Sequence, residues 1–441
     1  MITDITSENL SSIKNPQLRS YAAIYTRIYD SFLAQVAQLG IEIAPQSDAA
    51  EARDKAEGLR EAGATVRNAG KSIYLSWLSP ACEACREGIG SATFFVSLQC
   101  HRDCFYCFNP NQEDYTYYSA NTRDLASELA TIDASGLELD HLALTGGEPL
   151  LHKAETLAFF QQAEDRFPAA YKRLYTCGDH LDEDTLHALQ QTGLDEIRFS
   201  LRMHDSAAAR RRTLDNIAMA KRFVPRVMVE MPVLPGTQEE MRALLLELDR
   251  MEIAGINLLE FCFPLRNADT FRRRGYRVKR EPFHVLYNYW YAGGLPVAGS
   301  ELECLDLLDF AVSQRLRLGV HYCSLENKHS GQIYQQNTTG DLPAPGYFST
   351  KDFFIKSAKV FGKDISKVER VFQKMGYRGA VRHPEHDCLE FHVAKIEALR
   401  RLDIEVAISW NVIEMRDNEP YVRELKVSLT HPKSFDMASD V

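Results

Sequence analysis

The chain contains no run of about 18 apolar residues, so no membrane-crossing helix is expected. Residues 1–14 are polar and lack the basic-then-apolar order of a secretion signal, which points to a cytoplasmic protein. Positive charge is in deficit. Lys and Arg number 51 against 61 Asp and Glu, a net charge of −10, which argues against nucleic acid as the main partner. Neither the Rossmann nor the P-loop glycine fingerprint occurs, which removes those nicotinamide and nucleotide-hydrolysis readings. There is no internal repeat and no low-complexity segment. Without a secretion signal, the ten cysteines are expected as thiols or ligands rather than a disulfide framework.

Three of those cysteines stand close together, in the run Cys100-His101-Arg102-Asp103-Cys104-Phe105-Tyr106-Cys107. Three thiolates so spaced can converge on one metal centre. A [4Fe–4S] cube has four irons, so three cysteines leave one iron open to a substrate or cofactor. The run differs from the bacterial ferredoxin spacing. A zinc site would want paired spacings and a fourth ligand nearby. Unrelated buried thiols are the remaining alternative.

The 441 residues, 45% of them hydrophobic, suffice for two or three domains or one large domain with extensions. Residues 1–75 read as a helical N-terminal extension: 21–39 has apolar residues at helical spacing, and 49–63 is rich in Ala, Glu, Arg and Lys. From residue 91 short apolar runs alternate with helical patterns. Strands are expected at 93–98, 141–145, 173–176, 196–201, 226–231 and 257–261. Helices are expected at 121–132, 154–167, 182–192, 208–223 and 238–251. This order implies βαβ crossovers and a parallel sheet, curled as a barrel or doubly wound, with ligands at the carboxyl ends of the strands. The barrel is placed at 76–265. Residues 266–340, with Tyr287, Tyr289, Trp290 and Tyr291 close together, read as a cover over its mouth. Residues 341–441 read as a small α+β appendage, with a helix at 365–375 and strands at 405–410 and 425–429.

Thr145-Gly146-Gly147-Glu148-Pro149 follows the second expected strand. Two glycines let backbone approach a ligand closely, and Glu148 offers a carboxylate suited to an ammonium group. An ordinary glycine turn is the alternative.

Cys100, Cys104 and Cys107, with Tyr106 before the last cysteine and the Gly146-Gly147-Glu148-Pro149 turn, resemble the radical S-adenosylmethionine (radical SAM) superfamily over residues 91–262. The resemblance implies an α/β fold with a partial (β/α)6 barrel. It implies that the three cysteines hold a [4Fe–4S] cluster whose open iron binds S-adenosylmethionine. One electron then yields a 5′-deoxyadenosyl radical that abstracts hydrogen from a substrate. By the same resemblance Tyr106 packs near the adenine, and Gly146, Gly147 and Glu148 meet the methionine amino group. Ser200 and Arg202 hold the ribose and carboxylate, and Glu230 and Met231 lie on the ribose and adenine side. Members often carry Thr-Asn-Gly after the third strand, where this chain has Thr176-Cys177-Gly178. Cys177 is thus either an inert buried cysteine or a hydrogen-atom donor. The same two readings hold for Cys262.

Cys82-Glu83-Ala84-Cys85 precedes the first strand, and its two-residue gap lets both thiols face one metal. Cys323, in His321-Tyr322-Cys323-Ser324, is the best-placed further ligand, then Cys304, then Cys388. This layout resembles a radical SAM subset with an upstream Cys-x-x-Cys and a downstream His-Tyr-Cys-Ser, which implies an auxiliary [4Fe–4S] cluster. Zinc or no second metal are the alternatives. His321, Lys328 and His329 are expected to be solvated. The C-terminal region lacks the dense cysteine array of many peptide-modifying members, and no Asp-x-His-x-x-Gly run for cobalamin is present.

The expected activity is hydrogen abstraction from a ribosomally made peptide, leading to epimerisation, cross-linking or backbone excision, with flavodoxin or ferredoxin as reductant. A glycyl-radical-enzyme activase, a small-molecule radical enzyme and a non-radical iron–sulfur redox or scaffold protein are the other readings.

Overall fold

The computed structural model describes residues 2–281, 294–338, 342, 344–417 and 419–441. The expected aromatic cover at Tyr287, Tyr289, Trp290 and Tyr291 lies outside them. The described chain divides into two compact units, one of residues 40–281 and 294–329, the other of residues 2–39 and 330–441.

The first unit is built on a nine-stranded sheet in the order Thr65–Arg67, Ser72–Leu75, Gly319–Cys323, Gly255–Glu260, Arg226–Val233, Glu196–Phe199, Tyr171–Thr176, His141–Thr145, Ser91–Phe95. The last six in this order, from Gly255–Glu260 to Ser91–Phe95, pair in parallel and correspond to the six expected strands. Gly319–Cys323 adds a seventh parallel strand beside Gly255–Glu260. Among the described residues the sheet does not close on itself, which accords with an α/β partial barrel.

Alternation along each strand separates two faces. Leu142, Leu144, Leu174, Ile197, Phe199, Val229, Ile256 and Leu258 point outward into one core with Phe159, Phe160, Leu189, Ile217, Leu245 and Leu248 of the crossover helices. Each such buried side chain contributes roughly 1.5–3 kcal/mol. Side chains at the intervening positions, Arg173, Tyr175, Arg198, Glu230, Asn257 and His321, line the inner face. The crossover helices start where side chains cap them. Asp182 accepts the Thr185 N–H at 2.8 Å and Ser206 the Ala209 N–H at 3.2 Å.

In place of one helical extension over 1–75, the structure splits this stretch. Pro16–Gln38, capped by Asn15, belongs to the second unit. Ala49–Glu61 packs on Ser300–Ser313, where Lys55 meets Asp306 at 2.5 Å. The strands Thr65–Arg67 and Ser72–Leu75 then extend the barrel sheet. Helical spacing reveals an apolar stripe but not the core that receives it, and these two strands carry only three and four residues.

The second unit holds an antiparallel sheet of seven strands and the helix Ile365–Met375. Its longest strands, Val406–Arg416 and Glu419–Thr430, pair along their length, well beyond the expected 405–410 and 425–429. Of the extra residues, Asn411, Val412 and Ile413 are buried whereas Met415, Tyr421 and Val422 are exposed, so no single alternation of apolar and polar residues marks the full strands. Thr3–Asp4 pairs with the same sheet.

Candidate active site

The segment after Ser91–Phe95 carries Cys100, Cys104 and Cys107. A tight turn brings the Cys107 N–H to the Cys104 carbonyl at 2.9 Å, and the Arg102 N–H donates to the Cys100 sulfur at 3.4 Å. Burial is the largest influence on each thiol and raises it above the ordinary range. The Arg102 amide on Cys100, the Arg202 guanidinium beside Cys104 and the Asn109 amide on Cys107 oppose it. Cationic and N–H donors around such thiols favour the thiolate that a metal requires. Among the described residues the only group of three His, Cys, Asp or Glu side chains with ligand atoms within 4.8 Å of one another is His101, Cys177 and Asp179. The three sulfurs therefore do not all lie within 4.8 Å of one another.

The glycine turn supports this segment directly. The Gly147 N–H donates to the Ser97 carbonyl at 3.0 Å and the Glu148 N–H to that of Gln99 at 2.8 Å. A Cβ on Gly147 would stand 1.9 Å from the Gln99 oxygen, so only glycine fits. The Glu148 carboxylate is buried. It accepts the Thr176 hydroxyl at 2.6 Å, the Cys177 N–H at 2.7 Å and the Leu150 N–H at 3.1 Å. Glu148 thus braces the end of the third parallel strand, a task its sequence position did not reveal.

Two carboxylates tie the cysteine segment to neighbouring strand ends. Asp179 accepts from His101 at 2.7 Å and from Arg102 Nε at 2.6 Å, and the Cys177 thiol lies 3.3 Å away. Burial alone would raise Asp179, but these hydrogen bonds prevail and hold it at about 2. Because Arg102 and His101 share its oxygen, this group reads as an ion-pair junction rather than an open ion site. Asp205 accepts from Arg202 Nε at 3.0 Å, leaving Arg202 Nη2 buried without a hydrogen-bond partner. An orphaned guanidinium N–H beside Cys104 suits the carboxylate expected there. Ser200, at the end of the fourth strand, is exposed. Tyr106 packs edge-on against His204 at 5.3 Å and Phe261 at 5.6 Å. Phe105 and Phe271 complete this aromatic support, which had no motif to announce it.

The family described as the Radical SAM superfamily matches residues 95–248, the span that carries the cysteine segment, the glycine turn and Arg202. Residues 95–248 form a radical SAM domain. A Methanocaldococcus jannaschii protein with the provisional name of glycyl-radical enzyme activating enzyme is 25% identical over 313 residues, 67% of this chain and 78% of that one. The S-adenosyl-L-methionine-dependent 2-deoxy-scyllo-inosamine dehydrogenase of Niallia circulans is 32% identical over 115 residues, 25% of this chain and 44% of that one. Among solved structures, Streptococcus suis SuiB bound to the precursor peptide SuiA has a TM-score of 0.39 and 13% identity, covering 72% of this chain and 67% of that one.

The inner face of this radical SAM barrel holds the upstream cysteine pair. Pro80–Ala84 carries Cys82, whose sulfur accepts from Arg198 Nη2 at 3.3 Å and Asn257 Nδ2 at 3.4 Å. Arg198 also binds Glu196 at 2.5 Å and Glu230 at 2.7 Å. Glu230 therefore lies on the inner face, held below the usual carboxylate range: burial would raise it, but Arg198 prevails. Met231 does not. It is 1% exposed in the outer core with Val229 and Val233, because adjacent strand residues point to opposite faces. The neighbouring Tyr175 hydroxyl is pushed up to about 12 by burial, partly offset by Arg198.

Cys323 ends a strand of the same sheet, and the charges of Cys85 and Cys82 act on it. Cys304 lies elsewhere. It is fully buried in the outer core among Glu260, Glu301 and Glu303. Cys388 lies in the second unit. His321 is not solvated. It is 3% exposed between Ser72 and Asn257, at 2.9 Å from each, and burial lowers it to about 3. His329 is half-buried and lowered to about 4, again by burial first. Cys262 is buried, its thiol donating to the Glu260 carbonyl at 3.1 Å.

Proposed function

We propose that this radical SAM enzyme holds a [4Fe–4S] cluster on Cys100, Cys104 and Cys107, cleaves S-adenosylmethionine reductively, and abstracts hydrogen from a ribosomally made peptide. The observation that carries the reading is the joining of the three-thiol segment to Glu148 and Arg202 at the carboxyl ends of parallel strands. When bound, the cluster supplies one electron to the sulfonium, from a reductant of the flavodoxin or ferredoxin class. The chain's own residues position the cofactor. Arg202 Nη2 offers a free N–H to its carboxylate, and Gly146 and Gly147 present backbone at the turn where the amino group would lie. Glu148 fixes that turn, Ser200 stands at the strand end for the ribose, and Tyr106 provides an aromatic face. Cys177 lies beside this pocket. Burial, then Glu148, raises its thiol far above the ordinary range, so it stays protonated and suits donation of a hydrogen atom to a substrate radical.

A chain-like substrate is supported by the second unit. Its long hairpin displays Met415, Tyr421 and Val422, which are 62%, 46% and 40% exposed. Apolar side chains clustered on a hairpin suit contact with another polypeptide. We also propose an auxiliary cluster on Cys82, Cys85 and Cys323. Co-expression with any short open reading frame found to neighbour its gene, followed by mass spectrometry, tests the peptide reading. A mass change dependent on Cys100 supports it, and an unmodified peptide with active enzyme opposes it.

The second reading is a glycyl-radical-enzyme activase, favoured by the Methanocaldococcus relative that aligns with 67% of this chain. A glycyl radical signal on a partner enzyme after incubation would select it.

A further inference from the structure

The chain as a whole is acidic, with a net charge of −10, yet one short stretch reverses the balance. Between residues 266 and 280 there are seven Lys or Arg and one acid, Asp269. Lys279 is buried against Glu260 and Glu301, whereas Arg266, Arg272, Arg273, Arg274 and Arg277 are exposed. Arg272 meets Asp269, and Arg277 meets Glu42 at 3.0 Å. The other three form no ion pair among the described residues. Their partners are neutral: the Pro110 carbonyl for Arg266 at 3.1 Å, the Thr270 hydroxyl for Arg273 at 3.4 Å and the Phe105 ring for Arg274 at 4.7 Å. A guanidinium keeps its charge at any working pH, so this is a fixed positive patch on an acidic protein.

The patch is fastened to the segment that carries the three cysteines. Asn267 Nδ2 donates to the Phe105 carbonyl at 3.0 Å, and Asn111 Nδ2 donates to the Pro264 carbonyl at 2.6 Å. Phe271, within the helix Ala268–Arg273, packs edge-on against Phe105 at 5.3 Å. Phe105 follows Cys104 directly. Cys100 is exposed, and Cys104 and Cys107 are half-buried, so the cysteine segment reaches the surface beside these arginines. The stretch lies beyond residues 95–248, the span of the radical SAM domain.

We propose that the exposed arginines from Arg266 to Arg277 are the docking surface for an acidic one-electron carrier of the flavodoxin or ferredoxin class. The proposal rests on the reading of Cys100, Cys104 and Cys107 as cluster ligands. One electron leaves the reduced carrier and reduces the oxidised cluster; no bond forms or breaks and no proton moves. Electron-transfer encounters are small, below about 1,200 Å², so steering charge matters more in them than apolar area. The acidic remainder of this chain repels an acidic carrier, and the patch draws it to the one segment that must receive the electron. Nucleic acid is the competing occupant, but its phosphate backbone calls for a broad basic face, which a net charge of −10 opposes.

The test uses the full-length enzyme, reconstituted anaerobically. Release of 5′-deoxyadenosine is driven either by photoreduced deazariboflavin, a small uncharged reductant, or by a purified bacterial flavodoxin kept reduced by its NADPH-dependent reductase. In Arg272→Glu/Arg273→Glu the KM for flavodoxin should rise about tenfold or more. Iron content and the deazariboflavin-driven rate should match the parent, and Arg272→Lys/Arg273→Lys should restore the KM. An unchanged KM in the iron-loaded charge-reversal variant overturns the docking surface. An equal loss with both reductants also overturns it, because the arginines would then act on the cluster. Salt-sensitive binding of transfer RNA that the variant loses while its flavodoxin KM stays unchanged assigns the patch to nucleic acid instead. Should the variant fail to fold, the parent decides. Its flavodoxin-driven rate should fall steeply with added salt while the deazariboflavin-driven rate stays level, and a salt-independent flavodoxin rate contradicts the proposal. No 5′-deoxyadenosine from the iron-loaded parent with either reductant contradicts the radical SAM reading itself, and the docking surface falls with it.

Discussion

The carboxylate of Glu148 accepts the backbone N–H of Cys177 at 2.7 Å. This bond joins the turn after the second parallel strand to the end of the third, under the segment that carries Cys100, Cys104 and Cys107. Glu148→Ala leaves three buried donors unsatisfied, each costing about 1–3 kcal/mol. We expect a lower urea midpoint and weakened S-adenosylmethionine binding by calorimetry. Glu148→Gln, which keeps one acceptor oxygen, should lose less.

Gly147→Ala places a methyl 1.9 Å from the Gln99 carbonyl oxygen, one residue before Cys100. Backbone on both sides leaves it no room, so the cysteine segment must shift. Iron bound to the first cluster should fall by half or more while the far-ultraviolet circular dichroism is retained. Full iron loading would show that the turn does not position the cysteines.

Asp179 predicts an acid limb in stability. Its folded value of about 2 lies below the ordinary carboxylate value, so it contributes stability that is present above pH 4 and lost as pH falls through 2. The contribution is on the order of 2 kcal/mol. In urea titrations of the metal-free protein, Asp179→Asn should lower stability at pH 6 and narrow its gap to the parent between pH 4 and 2. A gap constant with pH would contradict the assignment.

Cys177→Ala should retain the iron of the first cluster and the release of 5′-deoxyadenosine, but should fail to return hydrogen to the substrate radical. With the true substrate in deuterium oxide, the parent enzyme should place one deuterium in the product. The variant should give no deuterated product. Equal deuterium incorporation in both would leave Cys177 an inert core thiol.

Much of this site was legible because its chemistry is local in sequence. The three cysteines share one segment, and the six apolar strands mark their own spacing. The strand over 141–145 and the helix over 365–375 fall where the pattern puts them. What escaped depends on facing and on distant packing. Met231 and Glu230 are adjacent, so one had to face outward, and only the core showed which. Cys304 is a plausible ligand in a list of thiols, yet the fold buries it in the outer core among the helices. Arg173 carries no motif. Its buried, unpartnered Nε and Nη1 become visible only once the inner face is assembled.

The central claim is that Cys100, Cys104 and Cys107 support reductive cleavage of S-adenosylmethionine. The most direct test is anaerobic incubation of reconstituted enzyme with dithionite and S-adenosylmethionine, followed by chromatography for 5′-deoxyadenosine. The account predicts its release by the parent enzyme and its loss in Cys104→Ala. Absence of 5′-deoxyadenosine from a fully iron-loaded parent, or undiminished release by Cys104→Ala, would contradict it.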